Sequence, residues 1–468
     1  MEIILYFVLI KLLNSLDFNP LPIGNGILNS NYSHTSTNNL FFVFEHFRHG
    51  ARSPCNGGFF NNTDDIGGKW ADYGAITNVG IRQHYSLGQK LRKYYDGFIS
   101  REYDPKEIKI YCSNYNRTMI SAQSQLLGFY KNMSFEEIKK NDDIVGEKII
   151  DNKTQLNSII PPINLFESLY KKKGRKFEIT FSEKFECPIH KEMIKKNKKV
   201  IDELEVFDKL NNIKGKINTK YFEIFNREFN LGVYTMNYTG MYNFCDIYIC
   251  NYFDEGNNRQ RLDKIAKKYK EFNLNELLGM CYEYMPEKFF TLEGAEYANQ
   301  SSIIIMSKIM KKMIKYMESR IINQNDFKSN DSPKFVMYSG HDDTLTQMQL
   351  FLNKSFHINL EWVPFASNQI FEIRKYENVF YVEVYYNSKL KMNITFSQFS
   401  DIIENSIMNE DEINQKCYGF TRSRYFFRIV ILFLLLLFLL ISYITTKIYY
   451  YYFSEKVKVV KPRTVLII

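Results

Sequence analysis

Three short apolar runs limit what this chain can build, because each ends directly in a segment carrying Arg, His or Asp. Residues 39–47 (NLFFVFEHF) form a continuous apolar and aromatic stretch of buried-strand length and pass into Arg48-His49-Gly50-Ala51-Arg52-Ser53-Pro54. Residues 107–112 (EIKIYC) alternate polar and apolar, then lead through SNYNRT, which holds Arg117, into a helical pattern over 118–130. Residues 334–339 (KFVMYS) stop at Gly340-His341-Asp342. Between and after them lie helical stretches at 77–95 and 294–322 and alternating strands at 368–374 and 380–386. Thr77 is an N-cap candidate, and Ile81, Tyr85, Gly88, Leu91 and Tyr95 form the apolar stripe of the first helix. This alternation predicts an α/β fold, with a central, largely parallel sheet flanked by helices. Residues from about 131 to 290 are charged, irregular and mostly helical in pattern, and read as an inserted cap subdomain. In open α/β sheets, ligands bind beyond the carboxyl ends of the strands. The three charged segments are therefore expected to converge, although about 290 residues separate the first from the last.

Their side chains suit one chemistry. Arg48, Arg52 and Arg117 are forks that fit phosphate oxygens, and Gly50 permits a turn where a side chain would obstruct. Three arginines, two histidines and a carboxylic acid suffice for phosphoryl transfer with no metal and no other cofactor. The guanidinium groups and His341 would neutralise the equatorial oxygens. His49 would attack phosphorus, and Asp342 would protonate the leaving oxygen. A strand-end histidine alone is more often a satisfied core residue; it is Arg52, Arg117 and His341-Asp342 in register that favour the functional reading. His46 reads as structural, and His84, on a helix, as a candidate for lining the pocket.

RHGARSP, then GAITNVGIRQHYSLGQKLRKYY, then SNYNRTMISAQSQLLGFY, then YSGHDDTL resemble the histidine acid phosphatase family, branch 2 of the histidine phosphatase superfamily. The resemblance runs in order and spacing over roughly 39–393. It implies a phosphoglycerate-mutase-like α/β core with a helical cap, and hydrolysis of phosphate monoesters, in many members at acid pH. It assigns the nucleophile to His49, the proton donor to Asp342, and phosphate binding to Arg48, Arg52, Arg117 and His341. Membrane-anchored members with a luminal catalytic domain fit the terminal span described below. Asn368 falls where many animal members place a disulfide cysteine, which leaves Cys187 without that partner. Cys55 is not expected after Pro54, and Gly340 stands for a commoner alanine, an exchange expected to be benign. Two further readings compete: an inositol-polyphosphate phosphatase of the same fold, and an inactive surface or receptor protein that retains the fold.

The ends of the chain set its compartment. Residues 3–13 (IILYFVLIKLL) fit the apolar core of a secretory signal, interrupted by Lys11, so that 1–16 is expected to be a signal peptide and 17–38 a leader. Residues 39–405 form the catalytic domain and 406–428 a juxtamembrane stretch. Residues 429–446 (IVILFLLLLFLLISYITT) are apolar over nearly the ~20 residues that a bilayer core requires. The basic residues after this span mildly favour a cytoplasmic tail at 447–468. The domain would then face a lysosome- or vacuole-like lumen or the cell exterior. Several sequons, including Asn31, Asn132, Asn237 and Asn299, and seven cysteines agree with that compartment, and the odd cysteine count leaves at least one unpaired or intermolecular. Cys417 is open between an interchain link and a thiol. The formal charge of +9 resides largely in lysine clusters at 171–220 and the C-terminus, without the aromatic interleaving of a nucleic-acid module. The partners expected are thus a phosphate monoester and a membrane, not nucleic acid. The sequence leaves the oligomeric state open, a dimer included.

Overall fold

The strand predicted from the first apolar run exists, and it lies at the centre of the sheet. The computed structural model describes residues 37–55, 73–104, 106–113, 115–130, 164–166, 212–213, 215–229, 238–285, 296–323 and 332–459. The first elements are β1 (Leu40–Arg48), α1 (Asn78–Tyr94), β2 (Ile108–Ser113), α2 (Asn116–Tyr130) and β3 (Asn164–Phe166). Next come α3 (Glu223–Phe229), α4 (Tyr238–Tyr252), α5 (Asn257–Lys268), α6 (Leu274–Tyr284) and α7 (Glu296–Ile322). Then follow β4 (Phe335–Gly340), α8 (Asp342–Phe356), β5 (Asn368–Tyr376), β6 (Val379–Tyr386), β7 (Lys389–Thr395), α9 (Phe396–Ser406) and α10 (Glu410–Val459). The signal-like segment, most of the lysine cluster, Cys187 and the sequons Asn31, Asn132 and Asn237 lie outside the described residues.

The strand order is β3-β2-β4-β1-β5-β6-β7. The first four strands are mutually parallel, and β1-β5, β5-β6 and β6-β7 are antiparallel. The parallel half carries the three charged segments; the antiparallel half adds two hairpins. Their turn residues, Glu377-Asn378 and Asn387-Ser388, all take positive φ (46°, 67°, 43° and 71°), the geometry that matches the twist of paired strands. The sequence reading named neither β7 nor β3, whose three residues pair with β2 at the edge of the sheet.

Both faces of the sheet are covered, which explains why β1 reads as an unbroken apolar run. Phe42, Phe44, Val336 and Tyr338 pack with Met306, Met310, Met313 and Met317 of α7 and with Met348 and Phe351 of α8. Val43, Phe47, Phe335 and Met337 face the other way, onto Leu87 and Leu91 of α1 and Leu126 and Phe129 of α2. Thr77 caps α1 as expected, its hydroxyl accepting from the Gly80 N–H.

Helices α1 and α2 meet backbone to backbone. A Cβ on Gly88 would lie 1.9 Å from the Gln125 carbonyl oxygen, and one on Gly128 would lie 2.0 Å from that of Tyr85. Gly88→Ala should therefore push the helices apart and destabilise the fold by about 3 kcal/mol. Gly279→Ala on α6, where a Cβ meets nothing within 4 Å, should be neutral or better in the same unfolding assay. Equal effects of the two substitutions would contradict the close crossing.

Helices α3 to α6 form a separate core around Phe225, Phe244, Tyr248, Leu262 and Leu277. A disulfide between Cys245 and Cys281 links α4 to α6. The chain divides after Met408 into two units, β1 to α9 in one and α10 in the other. Within α10, Phe426–Ser454 contains an 18-residue stretch with a mean hydropathy of 2.8, none of it buried, and is long and apolar enough to cross a membrane. Cys417, near its start, is disulfide-bonded rather than a thiol.

Candidate active site

Register brings the charged segments together. Arg48 of β1 pairs with Gly340 of β4, so His49 and His341 follow side by side at the same sheet edge. The His49 N–H donates to the Gly340 carbonyl (3.0 Å), and the two imidazole centroids are 5.5 Å apart. On the far side of β4, Cys112 of β2 pairs with Ser339, which places the next residue, Ser113, with its hydroxyl 2.8 Å from His341 Nε2. Arg117, in the first turn of α2, reaches His341 Nδ1 at 3.4 Å and lies over the Tyr115 ring at 4.4 Å.

The turn at His49–Pro54 is held from both helices. Gly50 N–H donates to Ser121 Oγ (3.1 Å), Ala51 N–H to Gln83 Oε1 (2.8 Å), and Thr77 N–H to the Ala51 carbonyl (2.9 Å). A Cβ on Gly50 would sit 2.3 Å from the Gly80 carbonyl oxygen, so glycine is required by close approach, as the sequence reading anticipated. Gly340 has a similar constraint. A Cβ there would lie 2.8 Å from both His46 Nε2 and Thr344 Oγ1. Glycine fits this position, and an alanine introduced here would have to displace one of those side chains. His46, buried and bonded to Thr344 Oγ1 at 3.2 Å, occupies that space.

The six residues singled out from the sequence are linked by direct contacts or through the Phe365 ring, which Arg48, His49 and Arg52 share. Arg48 Nη2 meets Asp342 Oδ2 at 2.8 Å, and its Nη1 donates to the Val363 carbonyl at 2.6 Å. Its guanidinium lies 4.3 Å over Phe365 and 5.7 Å from the Trp362 ring centre. Arg52 shares the Phe365 ring at 5.9 Å. Asp342 opens α8, and its Oδ1 accepts the Asp343 N–H (3.1 Å). Among the described residues, Nε of Arg48 and Nε of Arg52 are buried without a hydrogen-bond partner, donors that a water or an anion in the site could satisfy.

Proton positions follow from the partners. His49 Nδ1 lies 2.8 Å from the Gly50 carbonyl, which only accepts, so Nδ1 carries the hydrogen and Nε2 the lone pair. Burial first, then Arg48, Arg117, Arg52 and His341, hold His49 well below the ordinary histidine range. Burial, then Arg117, hold His341 down to about 3 against the pull of Asp342. His341 is thus neutral, accepting from Arg117 through Nδ1 and donating to Ser113 through Nε2. Positive charge at the site comes from the arginines.

Several contributors escaped the sequence reading. His84 does not line the pocket but is buried behind the turn, with Nε2 3.1 Å from the Arg48 carbonyl and Nδ1 3.0 Å from Gln125 Oε1. Gln125 Nε2 donates to Glu45 (2.7 Å), whose other oxygen accepts from Asn368 Nδ2 (2.9 Å). As arranged, the chain calls for an ionised Glu45 beside a doubly protonated His84; a turned amide serves a protonated Glu45 and a neutral His84 equally well. Burial lifts Glu45 to about 7 and lowers His84 to about 4, so between those values the second arrangement is favoured. Glu45 is the sole charge within FFVFEHF, a signal that it would need buried partners. Asp246 is likewise the only charge on α4, and both its oxygens face Arg52, at 3.0 and 3.4 Å. Burial works against the charge of Arg52, but Asp246 prevails and keeps it firmly protonated. Trp362 and Phe365, on the stretch before β5, carry no local signature.

The sequence profile described as histidine phosphatase superfamily (branch 2) matches residues 39–387. The chain belongs to this family. Among curated relatives of this histidine phosphatase, human lysosomal acid phosphatase is 23% identical over 357 residues, spanning 76% of this chain and 72% of that protein. Bovine prostatic acid phosphatase is 24% identical over 355 residues, spanning 75% and 78%. Among solved structures, the phytase from Citrobacter braakii superposes with a TM-score of 0.52 at 14% identity, covering 79% of this chain and 98% of that one. The phytase from D. castellii gives 0.50 at 12% identity, covering 81% of each. At these identities the phytases share the fold alone.

Proposed function

We propose that this histidine phosphatase is an acid phosphatase that hydrolyses phosphate monoesters through a phosphohistidine on His49. The observation that carries this reading is the state of His49: Nδ1–H is tied to the Gly50 carbonyl, and Nε2 keeps its lone pair among three guanidinium groups. A phosphate monoester enters with its oxygens on Arg48, Arg52 and Arg117, where the buried Nε–H groups of Arg48 and Arg52 take up partners. His49 Nε2 attacks phosphorus in line; the N–P bond forms as the P–O bond to the leaving group breaks. Asp342 gives its proton to the departing oxygen. Its present pairing with Arg48 favours the carboxylate, and the incoming phosphate replaces it as Arg48's partner, which favours proton uptake. In the second half, water attacks phosphorus, its proton returns to Asp342, and the N–P bond breaks to free phosphate and His49. His341, held by Ser113 and Arg117, lines the phosphate as a neutral group.

Residues 39–405 are read as the catalytic domain, with a cap at about 131–290 made mainly of helices. The α10 segment around 429–446 is read as a single membrane span, with 1–16 as a signal peptide and the domain glycosylated in a lumen or outside the cell. Family membership and the intact, connected set of six residues support an enzyme over a binding protein that kept only the fold.

The purified chain should hydrolyse 4-nitrophenyl phosphate between pH 4 and 8, with higher kcat/KM on the acid side. No turnover across that range would overturn the phosphatase reading.

A further inference from the structure

We infer that Asp246 selects substrates by charge, directing the site to phosphate monoesters whose leaving group is neutral or cationic and against those carrying further anionic groups. The inference rests on the phosphatase reading and narrows its substrate class. Three guanidinium groups meet at the site, yet two already face a carboxylate: Arg48 faces Asp342 at 2.8 Å and Arg52 faces Asp246 at 3.0 Å. With His49 and His341 neutral, the arginines and carboxylates leave one net positive charge before substrate binds. Once Asp342 has taken up its proton they leave two, reduced from three by Asp246 alone. That balance suits a single phosphate group better than a polyanion.

The carboxylate of Asp246 stays near the site after phosphate has taken Arg52. Its neighbour Cys245 is bonded to Cys281 on α6, and Phe244 and Tyr248 are fixed in the core of the helical region. The side chain of Asp246 can swing from Arg52, but its backbone is anchored on both sides. The same charge acts on Tyr242, one turn earlier on α4, which also feels Asp342, Arg52 and Arg48. Aromatic groups on this side include Tyr242, Trp362 and Phe365, with Arg48 lying over the last two. Such walls give an uncharged leaving group apolar contact. The rings carry no positive charge to offset Asp246 for an anionic one, and the Asp246 side chain is only 13% exposed and thus weakly screened.

A passive role for Asp246 as a counter-ion of Arg52 makes a different prediction. Freed of Asp246, Arg52 would then bind every phosphate group better or worse by a common factor. Charge selection instead changes the ratio between substrates. The test compares kcat/KM of the full chain for O-phosphoethanolamine, n-propyl phosphate and 2-phosphoglycolate, whose leaving groups are cationic, neutral and anionic. The order should be as named, with steps of roughly tenfold that shrink in high salt. Asp246→Asn should bring the ratio of the first to the last toward one. If that variant fails to fold, the order and salt dependence in the parent protein decide alone. A common factor for all three substrates in Asp246→Asn, or a parent that prefers phosphoglycolate, overturns the inference and leaves the phosphatase reading intact. Hydrolysis of none of the three, nor of 4-nitrophenyl phosphate, removes both.

Discussion

His49→Ala should reduce kcat/KM for 4-nitrophenyl phosphate by about 10^4-fold or more, the scale on which loss of a nucleophile is felt in a covalent mechanism. Phosphate binding should survive the change, because Arg48, Arg52 and Arg117 are held independently of the imidazole. Arg48 is fixed by Val363 and Asp342, Arg52 by Asp246, and Arg117 lies over Tyr115. The inhibition constant of inorganic phosphate should therefore move by no more than about tenfold while turnover collapses. Undiminished turnover would remove His49 as the nucleophile. A collapse of phosphate inhibition in step with turnover would instead assign it to binding.

Asp342→Asn should act through the leaving group. A general acid contributes about 10^2- to 10^4-fold where the departing oxygen needs a proton, and far less where the leaving anion is stable. Turnover of n-propyl phosphate should thus fall by about 10^3-fold, and that of 4-nitrophenyl phosphate by about tenfold. Asp342 also holds Arg48 at 2.8 Å and accepts the Asp343 N–H, so a second role in placing the guanidinium is built into the same contacts. If placement were its only role, both substrates would lose activity equally. The contrast between them separates the two.

The three charged strand ends were legible because β1 and β4, buried on both faces, leave continuous apolar runs and β2 leaves an alternating one, whereas the three-residue edge strand β3 left no such pattern. The charges then have no place except beyond the strand. Thr77 and the stripe through Gly88 were legible for a similar reason, since capping and helical spacing are local. What local pattern could not give was the partner of each charge. The pairing of Asp246 with Arg52 spans 194 residues, and that of Arg48 with the Val363 carbonyl spans 315. Asn368 illustrates the same limit: taken as a departure from its family, it turns out to donate to the buried carboxylate of Glu45. Gly340 could be judged only once His46 was seen to fill the space beside it. The hairpin joining β6 and β7 was missed because Asn387-Ser388 lacks the glycine that such turns favour, although both residues take positive φ.

The central claim is that His49 Nε2 forms a bond to phosphorus, and it can be tested by trapping that bond. Turnover of a substrate labelled in its phosphate, quenched in alkali during the pre-steady-state burst, should leave label on the peptide that contains His49. Because Nδ1–H is committed to the Gly50 carbonyl, the label should be the Nε2-linked isomer of phosphohistidine. Label on Nδ1, on another residue, or on none despite a burst of product would contradict the account.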